Sequence, residues 1–164
     1  MSQYYYLIAT LPMLEFGMKA PFSYEEFLAR CKEQISDRDL EILKRGLNSS
    51  TSREWKDFDT DLRNEIARAR ANKKAKDPDK YIRGENYLNP FMAGIAHWAV
   101  SQESPKDAEL YLDRIRWEKI EELKKSHYFD IDFLIVYALQ LQILERWDNI
   151  NKDGGIQILE EIIA

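Results

Sequence analysis

Cysteine is nearly absent from this chain: Cys31 stands alone among 164 residues. One thiol forms no internal disulfide, so the fold has to rest on packing, and a reducing compartment is expected. Histidine is almost as scarce. His97 and His127 are the two present, and neither belongs to an HxxxH or HExxH pair. A zinc site would therefore have to gather its ligands from unrelated segments. Six glycines and five prolines are few, which suits long helices with short connections. No GxSxG, Walker A or GxGxxG motif occurs, and Gly154-Gly155 lacks the spacing and the lysine of a phosphate loop. Excess positive charge is missing too. A net charge of −5 argues against nucleic acid as the main partner, because phosphate binding needs a clustered basic surface. The longest apolar run, residues 133–139, is seven residues, far from the roughly 20 that a bilayer requires.

What is present is ordinary for a folded protein: 45% hydrophobic and 32% charged residues, in a chain long enough for one domain with its own core. We expect a single all-α domain over residues 1–164, with an exposed internal loop at 77–89. Its centre is the stretch 130–150, DIDFLIVYALQLQILERWDNI, in which 12 of the 17 residues from Ile131 to Trp147 are apolar. A helix apolar over most of its circumference has to be enclosed by other elements. Asp130 is its expected N-cap.

Capping signals divide the rest of the chain into about six to eight helices. Residues 4–11, YYYLIATL, read as a first helix ended by Pro12, since no second convincing strand exists to pair with them. Ser23 with Glu26, Ser36 with Asp39 and Thr51 with Glu54 have capping-box spacing. Gly46 fits the end of the Ser36 helix. After the loop LNSSTSR, the residues Trp55, Phe58, Leu62, Ile66 and Ala69 recur every three or four positions. That predicts an amphipathic helix whose far face carries Arg63, Arg68, Arg70, Lys73, Lys74 and Lys76. Asn89-Pro90 and Ser104-Pro105 look like N-cap and N1 pairs of two further helices. Ile156, Leu159, Ile162 and Ile163 mark a last short one.

Few residues offer chemistry. His97, flanked by Ala96 and Trp98, reads as a hydrogen-bonded histidine at the core edge. His127 reads as a charge at a helix C-terminus. Asp130 and Asp132 are not an acid/base pair, because residues two apart on a helix point to different faces. Glu121-Glu122 and Glu160-Glu161 read as solvated faces, and Cys31 as buried. No catalytic, cofactor or metal residue is assigned, and no enzyme activity is expected. The best candidate for binding anything is the basic helix over residues 63–76, which could meet an acidic protein face. By exposure, the candidate contact residues are Arg63, Arg68 and Arg70 with Tyr81, Arg83 and Asn86 of the polar loop. The N-terminus, MSQYYYLIATLPML, has no basic leader and is read as mature sequence, with the cytoplasm as expected location.

The N-terminal stretch YYYLIATLPMLEFGMKAPFSYEEFLARCKEQISDRDLEIL, the segment LRNEIARARANKK and the C-terminal ILERWDNINKDGGIQILEEII resemble a bacterial family of uncharacterised proteins encoded with the subunits of V/A-type rotary ATPases. That family is in turn similar to a shortened form of the C/d coupler of those ATPases, the component that joins the central stalk to the membrane rotor ring. YYYL followed by SYEEFL resembles how the coupler starts. The resemblance implies an all-α protein on the cytoplasmic side of the rotor ring, peripheral to the inner membrane. It would receive the central stalk and transmit torque without catalysis or cofactor. The C/d coupler is built of three similar lobes, and 164 residues do not supply three, so an accessory or assembly role is the other implication. The competing expectation is a helical adaptor unrelated to ATPases, touching nucleic acid through residues 63–76.

Overall fold

Residues Ile131–Asn151 form α7, the helix around which the others are laid in the computed structural model, which describes residues 4–46, 49–84, 89–152 and 163. The other helices are α1 (Tyr4–Thr10), α2 (Tyr24–Lys32), α3 (Asp37–Arg45), α4 (Ser50–Lys73), α5 (Pro90–Ser101) and α6 (Pro105–Lys124), with a 3-10 turn at Pro78–Lys80. Among the described residues there is no strand, and the fold is all-α. The expected final helix lies outside the described residues, apart from Ile163.

Local chemistry sets the helix ends. The side chains of Ser23 and Ser36 accept from the backbone N–H of Glu26 and Asp39, each at 3.1 Å. Asn89, Ser104 and Asp130 cap α5, α6 and α7 in the same way, and proline occupies the first helical position of α5 and α6. Gly46 closes α3 in the left-handed conformation, φ +62°, where a side chain on the backbone would be strained. One start differs from expectation. The cap of α4 is Ser49, which accepts from Ser52 N–H, and Thr51 is buried in the first turn of the helix. Four hydroxyl residues in a row, Ser49, Ser50, Thr51 and Ser52, offer the role. The cap fell to Ser49, which also donates to Asp132 at the start of α7 at 2.5 Å.

Burial on α7 is as broad as its composition requires. Leu134, Ile135, Val136, Tyr137, Ala138, Leu141, Ile143, Leu144 and Trp147 are all buried. They form one apolar cluster with Leu7, Phe22, Phe27, Leu40 and Leu43 from α1 to α3, and with Trp117 and Ile120 from the second half of α6. α7 also ties down the connection between α1 and α2. Its Tyr137 hydroxyl donates to Pro12 O at 2.8 Å, and its Asp148 and Glu145 accept from the backbone N–H of Ala20 and Tyr24. A second cluster lies apart from α7: Leu62 and Ile66 of α4, Met92, Ile95, Ala96 and Ala99 of α5, and Ala108 and Leu112 of α6. α4 and α6 thus run past both clusters, and the seam between them carries the charged residues described next.

Candidate functional site

Three helices, α4, α6 and α7, enclose an open trough of about 490 Å³ at that seam. Its apolar floor comes from Trp55, Ile66, Leu139 and Ile143, and its walls from four arginines and three acids. Helical spacing prepares part of the arrangement. Asp59 and Arg63 are one turn apart on α4 and pair at 2.8 Å, while Asp113 and Arg116 pair on α6 at 2.9 Å. Packing supplies the rest. Arg116 Nε reaches Asp59 across to α4 at 3.0 Å, Arg146 of α7 binds Asp113, and Glu109 lies 3.5 Å from Arg70 and 3.8 Å from Arg146. The result is a continuous ladder of alternating charge: Arg63, Asp59, Arg116, Asp113, Arg146, Glu109, Arg70.

Asp113 is the anchor of the ladder. Its carboxylate is 1% exposed and accepts from Arg116 and Arg146, and from the Trp147 indole N–H at 2.7 Å. A buried carboxylate without such partners would be prohibitively costly. For Arg116, burial works against its charge, but Asp59 and Asp113 outweigh that and push its pKa up. This guanidinium stays charged.

The sequence-level candidates are dispersed. Arg63 and Arg70 line the trough. Arg68 does not. It faces α5, pairs with Glu65, and is only 17% exposed, so its place on a solvent-facing surface is corrected. The reason is that α4 is covered on several sides: Glu65 is buried and also accepts from Asn89 N–H, and Lys73 donates to Val100 O at 3.0 Å. Tyr81 is exposed beside Arg70 and Lys74. Arg83 is exposed, but its backbone is pinned to α4, donating to Asn64 Oδ1 and accepting from Asn64 Nδ2. Asn86 lies outside the described residues.

Other expectations also shift. His97 is exposed on α5, in a hollow with Glu65 and Arg68, not at the core edge. His127 is more than a helix-end charge: its Nδ1 meets Asp130 at 2.7 Å and lies 4.0 Å from Asp132, and Thr51 Oγ1 is 3.4 Å from its Nε2. Asp130 and Asp132 converge on it because Asp130, as the cap, is not helical. These three residues bring ligand atoms within 4.8 Å of one another. One oxygen of each carboxylate is already taken, Asp130 Oδ1 by Phe133 N–H and Asp132 Oδ1 by Ser49. A cation there would also face the positive end of α7. The group serves as a junction of α4, α6 and α7. Glu121 is not simply solvated either, since it accepts from buried Gln140.

The sequence reading passed over Asp59, Glu109, Asp113, Arg116 and Arg146. A signal existed: Glu109, Asp113 and Arg116 form a charged stripe at spacings of four and three beside the apolar stripe of α6.

Residues 98–164 match a family described as a protein of unknown function, DUF2764. The matched region starts late in α5 and takes in α6 and α7, so it holds the Asp113, Arg116 and Arg146 part of the ladder. No curated protein and no solved structure matches the chain. Among the described residues no helix is long and apolar enough to cross a membrane.

Proposed function

We propose that this chain is a non-catalytic subunit or accessory protein of a bacterial V/A-type rotary ATPase, similar to the C/d coupler between central stalk and rotor ring. The reading starts from the resemblance carried by the N-terminal, middle and C-terminal sequence segments. The structural observation that supports it is the junction of α4, α6 and α7, locked by a charge ladder and open on one side as a trough. A buried carboxylate with three donors ties α6 to α7, and Arg116 with Asp59 ties α6 to α4; this stiffens the body, and stiffness is what a load-bearing or scaffolding protein needs. Within this reading Arg63 and Arg70 are the contact candidates that share the trough.

The test is capture from native membranes at low salt with the tagged chain as bait. Recovery of ATPase stalk or ring subunits supports the proposal, and recovery of none overturns it. The alternative, a helical adaptor unrelated to ATPases that touches nucleic acid through residues 63–76, predicts salt-dependent DNA or RNA binding weakened by charge reversal there. Its basic run is divided between the trough, the α5 side and Val100, which disfavours one continuous phosphate-binding stripe.

A further inference from the structure

We propose that the trough between α4, α6 and α7 is where this chain docks its partner protein, and that it accepts an acidic side chain of that partner among Arg63, Arg70 and Arg146. The inference rests on the reading of the chain as a protein-docking component, and it names the chemistry of the partner.

The charge balance sets the kind of anion. Four guanidinium groups face three carboxylates, which leaves one net positive charge. That complements one carboxylate and undercompensates a polyphosphate, which would also meet Asp59 and Glu109 in the walls. Arg116 has nothing to give: it is 12% exposed and committed to two acids. The other three differ. Arg63, Arg70 and Arg146 have side chains 68%, 40% and 44% exposed. A guanidinium carries five N–H donors, and the contacts of these three within the ladder use a minority of them. The shape favours a protein over a small molecule, because a small ligand is usually enclosed over most of its surface, whereas this trough is open on one side. The trough combines arginines with an apolar floor that includes Trp55, residue types in which protein interfaces concentrate binding energy. Trp55 stacks on Phe58 with ring centroids 6.0 Å apart, so it is presented in a defined orientation.

The test uses the full chain and the double variant Arg63→Glu/Arg70→Glu. The Arg63 and Arg70 side chains are themselves 68% and 40% exposed, and an unchanged thermal midpoint checks that the fold survives their replacement. The probes are a helical peptide of leucine and glutamate, the same peptide with glutamine for glutamate, sodium phosphate and ATP. The readout is the NMR signals of the Trp55 indole and the Arg146 side chain, both in the trough and both kept in the double variant. The glutamate peptide should shift these signals, and its binding should weaken at least about tenfold in the glutamine peptide and in the double variant. Equal binding of the two peptides, an unaffected double variant, no response, or a stronger response to phosphate or ATP would each overturn the proposal. The two readings fail separately. Capture of ATPase subunits by the double variant at the wild-type level removes the trough and leaves the ATPase assignment. A trough that binds the glutamate peptide in a chain that captures no ATPase component does the reverse.

Discussion

Asp113 shows how much a single side chain can depend on its surroundings. Its carboxylate has three donors and almost no solvent, so removing it leaves the poorly solvated Arg116 with Asp59 as its remaining partner and the buried Trp147 indole N–H without its acceptor. Asp113→Ala should destabilise the protein by about 3–5 kcal/mol in denaturant unfolding. Arg63→Gln, which breaks only an exposed pair, should cost less than about 1 kcal/mol. Equal effects would mean that the ladder is not anchored at Asp113. Cys31 carries a different consequence. It is fully buried, and burial pushes its thiol from 9.0 to about 12, so the folded state favours the protonated form. Its contribution to stability is complete below about pH 9 and is lost as pH rises from there towards 12. Tyr137, pushed up from 10.0 to about 12 by burial, with Arg30 opposing, adds to the loss at higher pH. Unfolding free energy should therefore fall above pH 9, and Cys31→Val should keep more of it at pH 10 than the wild type does. The burial of Cys31 was legible from its place on the apolar face of its helix. The burial of Asp113 was not, because an acid on a charged stripe looks solvated until a neighbouring helix covers it.

At the scale of elements, the caps were the most legible features, since a serine or asparagine and the amide it satisfies lie within three residues of each other. Ser23, Ser36, Asn89, Ser104 and Asp130 all cap where expected. The C-terminus of α4 offers the reverse case. Ala75, just past it, sits at φ +52°, a conformation that costs an L-residue about 1–2 kcal/mol. Lys76 N–H then bonds back to Ala71 O at 2.8 Å, the closing pattern usually given to glycine. Ala75→Gly should raise stability by up to about 1 kcal/mol, net of glycine's entropy cost, visible as a higher melting temperature. On α7, Leu141 is 0% exposed, and Leu141→Ala should cost about 2–5 kcal/mol. A cost near zero there would contradict the enclosure of α7. On the basic face of α4, Arg63, Lys73, Lys74 and Lys76 are exposed, and Arg68 is the residue misplaced, for a physical reason: spacing reveals which residues share a face, but not how many neighbours surround the helix. With α5, α6 and α7 all packed on α4, Arg68 is turned in beside buried Glu65.

The whole molecule has two apolar clusters joined by α4 and α6, with the charge ladder at the seam. The cluster under α5 is the smaller, and α5 packs chiefly on α4 and α6, so it should open by local fluctuations before α7 does. Native-state hydrogen exchange should show lower opening free energies for amides of α5 than for those of 134–144. In Asp113→Ala the gap should widen, because the seam is then weakened; equal protection throughout would contradict it. By itself the sequence determined the helices from α1 to α7, every expected cap but that of α4, and the enclosure of α7, because each of these depends on residues within a turn or two of one another. Tertiary packing alone decided that Arg116 meets Asp59, that Arg146 meets Asp113 and that four arginines line one trough. Those partners are 57 and 33 positions apart, and no local periodicity reaches that far; only the close approach of α4, α6 and α7 brings them together.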